Sequence, residues 1–303
     1  MPKLTPAVEK ILNYYTYENE ALLQNIARLF MQGRLGGTGR MVILPVDQGW
    51  EHGPARSYAP NPVAYNPDYF VKLAVDAGLN AYAGPLGQLA AVTKEYRNKL
   101  PLILKINSAT TLVGAKNNAI TATVDDAVRL GCAAVGYTVY PGSDDYYTQV
   151  EKLVDISAQA RKKDLPMIVW SYPRGGTLSK DGETALDIVA YGAHMAAQCG
   201  AHIVKVKLPT AHIKQDAAKK AYENVAKDTL ADRVRHVVQS CFDGRRPVVF
   251  SGGEAKDTDS VLNDARAIHA GGGNGSIIGR NAFQRPEADA LKLLDEIVKI
   301  YSA

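Results

Sequence analysis

Cysteine is scarce in this chain: Cys132, Cys199 and Cys241 are the only three in 303 residues, far apart and without a C-x-x-C pair. So odd and scattered a set excludes a disulfide framework and points to a reducing compartment. Long apolar runs are missing too, none approaching the ~20 residues of a membrane-spanning helix. Glu9, Glu18 and Glu20 interrupt the opening stretch, so no secretory leader is expected. There is no basic tail or stripe. Thirty-five Lys and Arg stand against 31 Asp and Glu, interspersed, for a net charge of +4. Nucleic acid is therefore not an expected partner, although a few cations focused in a cleft would suit an anionic small molecule. The six histidines form no HxH or HxxxH pair, so no metal site is expected. No GxGxxG follows the first apolar run, which removes the usual dinucleotide reading. These absences leave a cytoplasmic globular protein with no membrane partner.

What is present is a regular alternation. Short apolar runs at 41–47, 79–84, 101–107, 132–138, 166–171, 201–208, 247–251 and 275–279 are separated by segments of helical period. Several runs are continuously apolar, as strands buried on both faces should be. Phe70, Leu73, Ala74 and Ala77 mark one helical face, Leu186 to Ala197 a second, and Leu294, Ile297, Val298 and Tyr301 a third. Asn66 before Pro67, and Ser143 before Asp144 and Asp145, read as helix starts with acidic first turns. The triple glycine Gly271 to Gly273 reads as a helix stop.

Eight β-then-α units predict an α/β fold, a single (β/α)8 TIM barrel, which typically takes about 250 residues. Residues 1–40 read as an N-terminal helical extension starting near Thr5 and Pro6, and residues 41–303 as the barrel. Residues 209–246 form an enlarged segment with at least one helix.

Chemistry in such a barrel sits at the C-terminal ends of its strands. On the sixth run, alternation places Lys205 and Lys207 on one face and Val204, Val206 and Leu208 on the other. In a closed sheet the lysine face is interior, where burial and neighbouring cations turn an ammonium toward a nucleophilic amine. The alternative is an edge strand with a solvated lysine face. The fifth run ends in Trp170-Ser171-Tyr172-Pro173-Arg174, offering a pocket wall, a proton-exchanging hydroxyl and a phosphate-holding guanidinium. Asp47 ends the first run, as either a carboxylate at the barrel mouth or a cap for the next turn. His52 follows it as a positioning or structural histidine. Ser251, Gly252 and Gly253, with Gly279 and Arg280, end the last two runs, where backbone N–H groups can approach a phosphate. Lys105 ends the third run as a further source of positive potential.

Together Asp47 to Pro54, Gly136 to Ser143, Trp170 to Gly176, Lys205 to Lys207, Ser251 to Gly253 and Gly279 to Gln284 resemble the archaeal-type class I fructose-bisphosphate aldolases, a family that includes bacterial members. The resemblance covers about residues 41–300. It implies a lyase that cleaves fructose 1,6-bisphosphate through a Schiff base, without metal or other cofactor. By motif register Lys205 matches the Schiff-base lysine, with Lys207 as a competitor or a neighbouring cation. Tyr172 matches the acid/base residue, Asp47 the carboxylate that assists carbinolamine proton transfers, and Trp170 a pocket residue. Ser251 to Gly253 and Gly279–Arg280 match the phosphate site on the dihydroxyacetone phosphate side. The resemblance also implies a homo-oligomer. At Leu208-Pro209 the chain departs from the compact archaeal members with a longer excursion. Two other readings stay open: a related transferase or synthase on the same scaffold, and a non-catalytic barrel that binds phosphosugars.

Overall fold

The computed structural model describes residues 3–113 and 117–303. Each of the eight apolar runs contains a strand. They are β1 (Met41–Pro45), β2 (Ala81–Pro85), β3 (Leu102–Lys105), β4 (Ala134–Val139), β5 (Met167–Ser171), β6 (Ile203–Val206), β7 (Val248–Ser251) and β8 (Gly275–Ile277). All pair in parallel and close in the order β1-β8-β7-β6-β5-β4-β3-β2. The fold is thus the TIM barrel that the alternation predicts. The third run splits: β3 ends at Lys105, and Asn107–Ser108 pairs antiparallel with Ala119–Ile120 outside the barrel.

Side-chain alternation sorts the strands into two cores. Val42, Leu44, Leu104, Val169, Val204, Val206 and Phe250 face outward under the helices. Ile43, Ala81, Ile103, Ala134, Ile168, Ile203, Val249 and Ile277 fill the barrel interior. The interior is therefore packed apolar material below the level where Lys205 begins.

The helices on the outside start and stop largely where the sequence places them. Asn66 Oδ1 accepts the Asp68 N–H (3.1 Å) at the start of the helix Pro67–Asp76, which buries Phe70, Leu73 and Ala74. The helix Thr258–Ala270 ends with Gly271 at its C-cap. One start is corrected. The helix Tyr146–Lys162 begins with Asp145 at its N-cap, has no side-chain cap and has no acidic residue in its first turn. Ser143 instead accepts a hydrogen bond from Gln149 Nε2 (3.2 Å) inside the preceding turn. Among the described residues no helix is long and apolar enough to cross a membrane.

The N-terminal segment forms α1 (Pro6–Leu12), capped by Thr5, and α2 (Glu20–Met31), capped by Asn19. Their buried residues Val8, Ile11, Leu22, Ile26, Leu29 and Phe30 belong to the same cluster as the barrel interior. The pair therefore seals the N-terminal end of the barrel. Polar groups fix the seal. Tyr15 Oη donates to the His202 carbonyl (2.5 Å), and His202 Nδ1 accepts the Met167 N–H (3.0 Å). That leaves Nε2 to donate to Glu18 (3.1 Å), which also pairs with Arg161.

Residues 209–246 hold two short turns, Asp216–Lys219 and Ala221–Asn224, then the outer helix Leu230–Ser240. The first part of this excursion is pinned to the start of the helix Leu186–Gln198 that follows β5. The Lys214 and Gln215 N–H groups both donate to Asp187 at 2.9 Å, and the Leu186 N–H donates to the His212 carbonyl.

Candidate active site

The C-terminal mouth of the barrel opens into a cleft of about 500 Å³, walled by the loops after β1, β5, β6, β7 and β8. Lys205 rises from its floor. In register it lies between Trp170 on β5 and Val249 on β7, and its inward direction follows from Ile203 two residues earlier. The side chain is 5% exposed. Its Nζ stands 5.1 Å from the Trp170 ring and 5.4 Å from the Tyr172 ring, without an ion pair among the described residues. Burial lowers its pKa to about 7, assisted by the Lys105 charge and opposed by Asp47 and Glu51. A large fraction of this amine is thus neutral at neutral pH, the form that attacks a carbonyl.

Lys207 shares the face but not the environment. It lies beyond the strand end, where Nζ donates to Glu183 at 2.9 Å. Burial pulls its pKa down, and the Glu183 carboxylate pulls it back up. Glu183 is itself positioned by the pinned excursion, because the Thr210 N–H donates to the neighbouring Thr184 carbonyl. The structure therefore separates two lysines that the sequence leaves as competitors, one free and desolvated, the other held in an ion pair.

Lys105 is also buried, 4% exposed, at the end of β3. Its Nζ donates to the Asn107 carbonyl and reaches Asn107 Oδ1 at 3.3 Å. It approaches the Trp170 ring to 5.7 Å, from the side opposite Lys205 in the chain order of strands. Burial lowers its pKa as well.

Trp170 is 2% exposed and lies beneath the cleft rather than in its wall, as a plate between the two lysines. Room for it exists because β4 carries glycine at 136, beside Lys105 in register. Tyr172 leads out of β5 into the cleft, and burial raises its hydroxyl pKa above the usual phenol value. Arg174 stacks its guanidinium over Tyr140 (4.7 Å) and faces Glu51 at 3.7 Å. It borders the same cleft.

Asp47 occupies the N-cap position of the short helix Gln48–His52 but makes no capping hydrogen bond with its side chain. Its carboxylate lines the cleft and acts on both Lys105 and Lys205. The turn-capping alternative is thereby corrected. His52 also lines the cleft, 3.8 Å from Glu51, with its pKa lowered chiefly by burial. Among the described residues no three His, Cys, Asp or Glu side chains group as a metal set.

The β7 and β8 loops meet across the last wall. Ser251, Gly252, Gly253, Gly279 and Arg280 all border the cleft. Arg280 Nη2 donates to the Gly253 carbonyl (3.3 Å). The organiser is Asn281, 2% exposed, whose Nδ2 donates to the Gly252 (2.9 Å) and Glu254 (3.0 Å) carbonyls while Oδ1 accepts the Lys256 N–H (2.7 Å). Gly279 is required by closeness: a β-carbon there would lie 2.7 Å from the Pro45 carbonyl oxygen.

Of the residues expected at the site, all but Trp170 and Lys105 border the cleft. Glu51, Glu183, Arg56, Lys180 and Asn281 also belong to the site. Glu51 and Asn281 lie inside the strand-end motifs, which assign them no role of their own; Glu183 has no local signal.

A family model described as "DeoC/LacD family aldolase" matches residues 41–285. A probable class 1 fructose-bisphosphate aldolase from Chlamydia trachomatis is 34% identical over 93% of this chain and 85% of its own. A class 1 fructose-bisphosphate aldolase from Thermoproteus tenax is 38% identical over 86% of this chain and 89% of its own. Among solved structures, an archaeal fructose-1,6-bisphosphate aldolase with its catalytic lysine bound to the carbinolamine intermediate superposes with a TM-score of 0.76. It is 33% identical and covers 92% of this chain and 99% of that one. With the matched region spanning every strand of the barrel and both glycine loops, the chain belongs to the DeoC/LacD family of aldolases.

Proposed function

We propose that this protein is a class I fructose-bisphosphate aldolase, reversibly cleaving fructose 1,6-bisphosphate to dihydroxyacetone phosphate and glyceraldehyde 3-phosphate. One observation carries the reading: Lys205 holds a desolvated amine without an ion pair among the described residues, flanked by Tyr172 and under the influence of Asp47. The amine attacks the ketone carbon to give a carbinolamine, and Asp47 assists the proton transfers by which water leaves. The resulting iminium draws electrons from the adjacent C–C bond, so cleavage yields an enamine and the aldehyde. Tyr172 takes the proton of the hydroxyl that becomes the aldehyde and later supplies one to the enamine carbon. Hydrolysis of the new iminium frees dihydroxyacetone phosphate and returns Lys205. The Ser251–Gly253 and Gly279–Arg280 loops take the phosphate of the ketone half, with Arg174, Lys207 and His52 lining the remainder of the cleft. The proposed steps call on no cofactor. The reading carries with it a homo-oligomer acting in the cytoplasm, which light scattering and fractionation test.

The decisive experiment is reduction with borohydride in the presence of dihydroxyacetone phosphate. A stable added mass is expected on the wild type, absent in Lys205→Ala and retained in Lys207→Ala. Labelling that persists in Lys205→Ala and vanishes in Lys207→Ala would overturn the lysine assignment. Loss of cleavage activity in EDTA would overturn the metal-free reading. A coupled cleavage assay comparing fructose 1,6-bisphosphate with fructose 1-phosphate tests the substrate.

A further inference from the structure

Behind Tyr172, on the side away from the phosphate loops, lies a second and far smaller space. It measures about 20 Å³ and is lined by Asp47, Glu51, Lys105, Ser108, Thr138 and Tyr172, with Ala109 and Tyr140 completing it. Asp47, Glu51 and Tyr172 border both this chamber and the main cleft, so they form the partition between the two. A space of roughly 10–15 Å³ or more with two to four polar partners is what one buried water requires. Here the polar groups are plentiful. Two carboxylates, an ammonium and a phenol converge, and the Ser108 hydroxyl, on a residue 7% exposed, has no hydrogen-bond partner among the described residues. An unpaired buried hydroxyl is unfavourable unless something meets it.

We propose that this chamber holds one ordered water that passes protons between the Tyr172 hydroxyl and the Asp47 and Glu51 carboxylates, and that Ser108 is the positioning residue that fixes it. The proposal rests on the Schiff-base reading and adds to it where the proton waits between the two halves of the reaction. In cleavage the substrate hydroxyl gives its proton to Tyr172 oxygen as the Tyr172 proton moves to the water and a water proton moves to a carboxylate. One O–H bond forms for each that breaks, and the proton is stored as a carboxylic acid. After the aldehyde leaves, the sequence reverses. The acid protonates the water, the water protonates Tyr172, and Tyr172 protonates the enamine carbon. The relay also removes a difficulty of the bare mechanism, because burial raises the Tyr172 pKa and a lasting phenolate in that position is unfavourable. With the relay in place, Tyr172 stays neutral throughout.

The test measures exchange of the carbon-bound hydrogen of dihydroxyacetone phosphate with D₂O, followed by NMR, in the full-length protein. A series of H₂O/D₂O mixtures on the wild type should give a curved dependence of rate on deuterium fraction, the mark of more than one proton in flight. Ser108→Val fills the chamber and should slow exchange roughly 10-fold or more, while borohydride trapping stays at the wild-type level. Ser108→Ala keeps the space and should fall between. A linear dependence in the wild type overturns the relay, and so does wild-type exchange in Ser108→Val with trapping intact. If Ser108→Val does not fold, the wild-type mixtures still decide. Absence of any trapped adduct on the wild type would instead strike the Schiff-base reading itself, and the relay with it.

Discussion

The indole of Trp170 lies across Gly136 so closely that a β-carbon on residue 136 would sit 2.1 Å from Trp170 Cζ3. Real side chains do not tolerate that distance, so glycine on β4 is a condition for the plate on which Lys105 and Lys205 rest. Gly136→Ala should destabilise the protein by about 1–3 kcal/mol and shift the indole. Denaturant melts give the first quantity. A change in the buried tryptophan emission, with loss of cleavage rate, reports the second. Unchanged stability and unchanged emission together would show that the barrel yields at this point.

Lys205 should leave a signature in the pH dependence of stability. The folded state holds its pKa near 7 against an unfolded value of about 10.5. Between those pH values the unfolded chain binds the extra proton, so stability rises with pH across that window, and the destabilisation is fully present below it. Lys205→Met should therefore be more stable than the wild type by on the order of 2–4 kcal/mol near neutral pH. The gap should shrink as pH approaches 10. Paired melts at pH 6.5 and 9.5 check this, and a gap independent of pH refutes it. In the wild type the rate of borohydride-trappable adduct formation should climb through about pH 7.

Asn281 ties the β7 loop to the β8 loop by three hydrogen bonds while its own side chain stays buried. Asn281→Ala releases Gly252 and Gly253 from the geometry proposed to receive the substrate phosphate. The expected outcome is a roughly 10-fold rise in KM for the phosphorylated substrate, equal to about 1.4 kcal/mol, with a smaller change in kcat. Steady-state kinetics separate the two parameters; a fall in kcat at constant KM would remove Asn281 from substrate binding.

The opposite end of the barrel should be energetically linked but chemically silent. Tyr15→Phe deletes the hydrogen bond to the His202 carbonyl and leaves that buried acceptor without its partner. A loss of about 1–3 kcal/mol is expected. Cleavage kinetics at permissive temperature should match the wild type, and a specific loss of kcat would contradict the separation of floor from chemistry.

Much of this arrangement was legible in the sequence for physical reasons that are local. The two-residue alternation at Ile203, Lys205 and Lys207 fixes which side chains share a face, and eight short apolar runs between helical segments leave few alternatives to a closed sheet. Asp47, Ser251 and Arg280 follow from strand ends. What escaped notice depends on partners distant in the chain. Glu183 matters because Lys207 stands 24 residues later, and the tie that Asn281, at a strand end, makes reaches back 29 residues to Gly252. Gly136 looks like any strand glycine until Trp170 is laid over it. The periodicity of residues 1–40 reveals one or two amphipathic helices but not the surface they cover. Ser143 misleads for a related reason, since its hydroxyl is taken by Gln149 before it can cap the next helix.

The seal made by α1 and α2 closes one end of the barrel, as the base of a vessel does. Among the described residues the approach to Lys205 is the C-terminal mouth, because the column beneath it is filled from Ile203 down to Phe30. Whatever enters must leave the same way, in the reverse order of depth. In the proposed reaction a fragment bonded to Lys205 would lie deepest and depart last. The proposed chemistry would thereby acquire a fixed order of release, with the enamine at the closed end of a passage whose outer part the aldehyde vacates first.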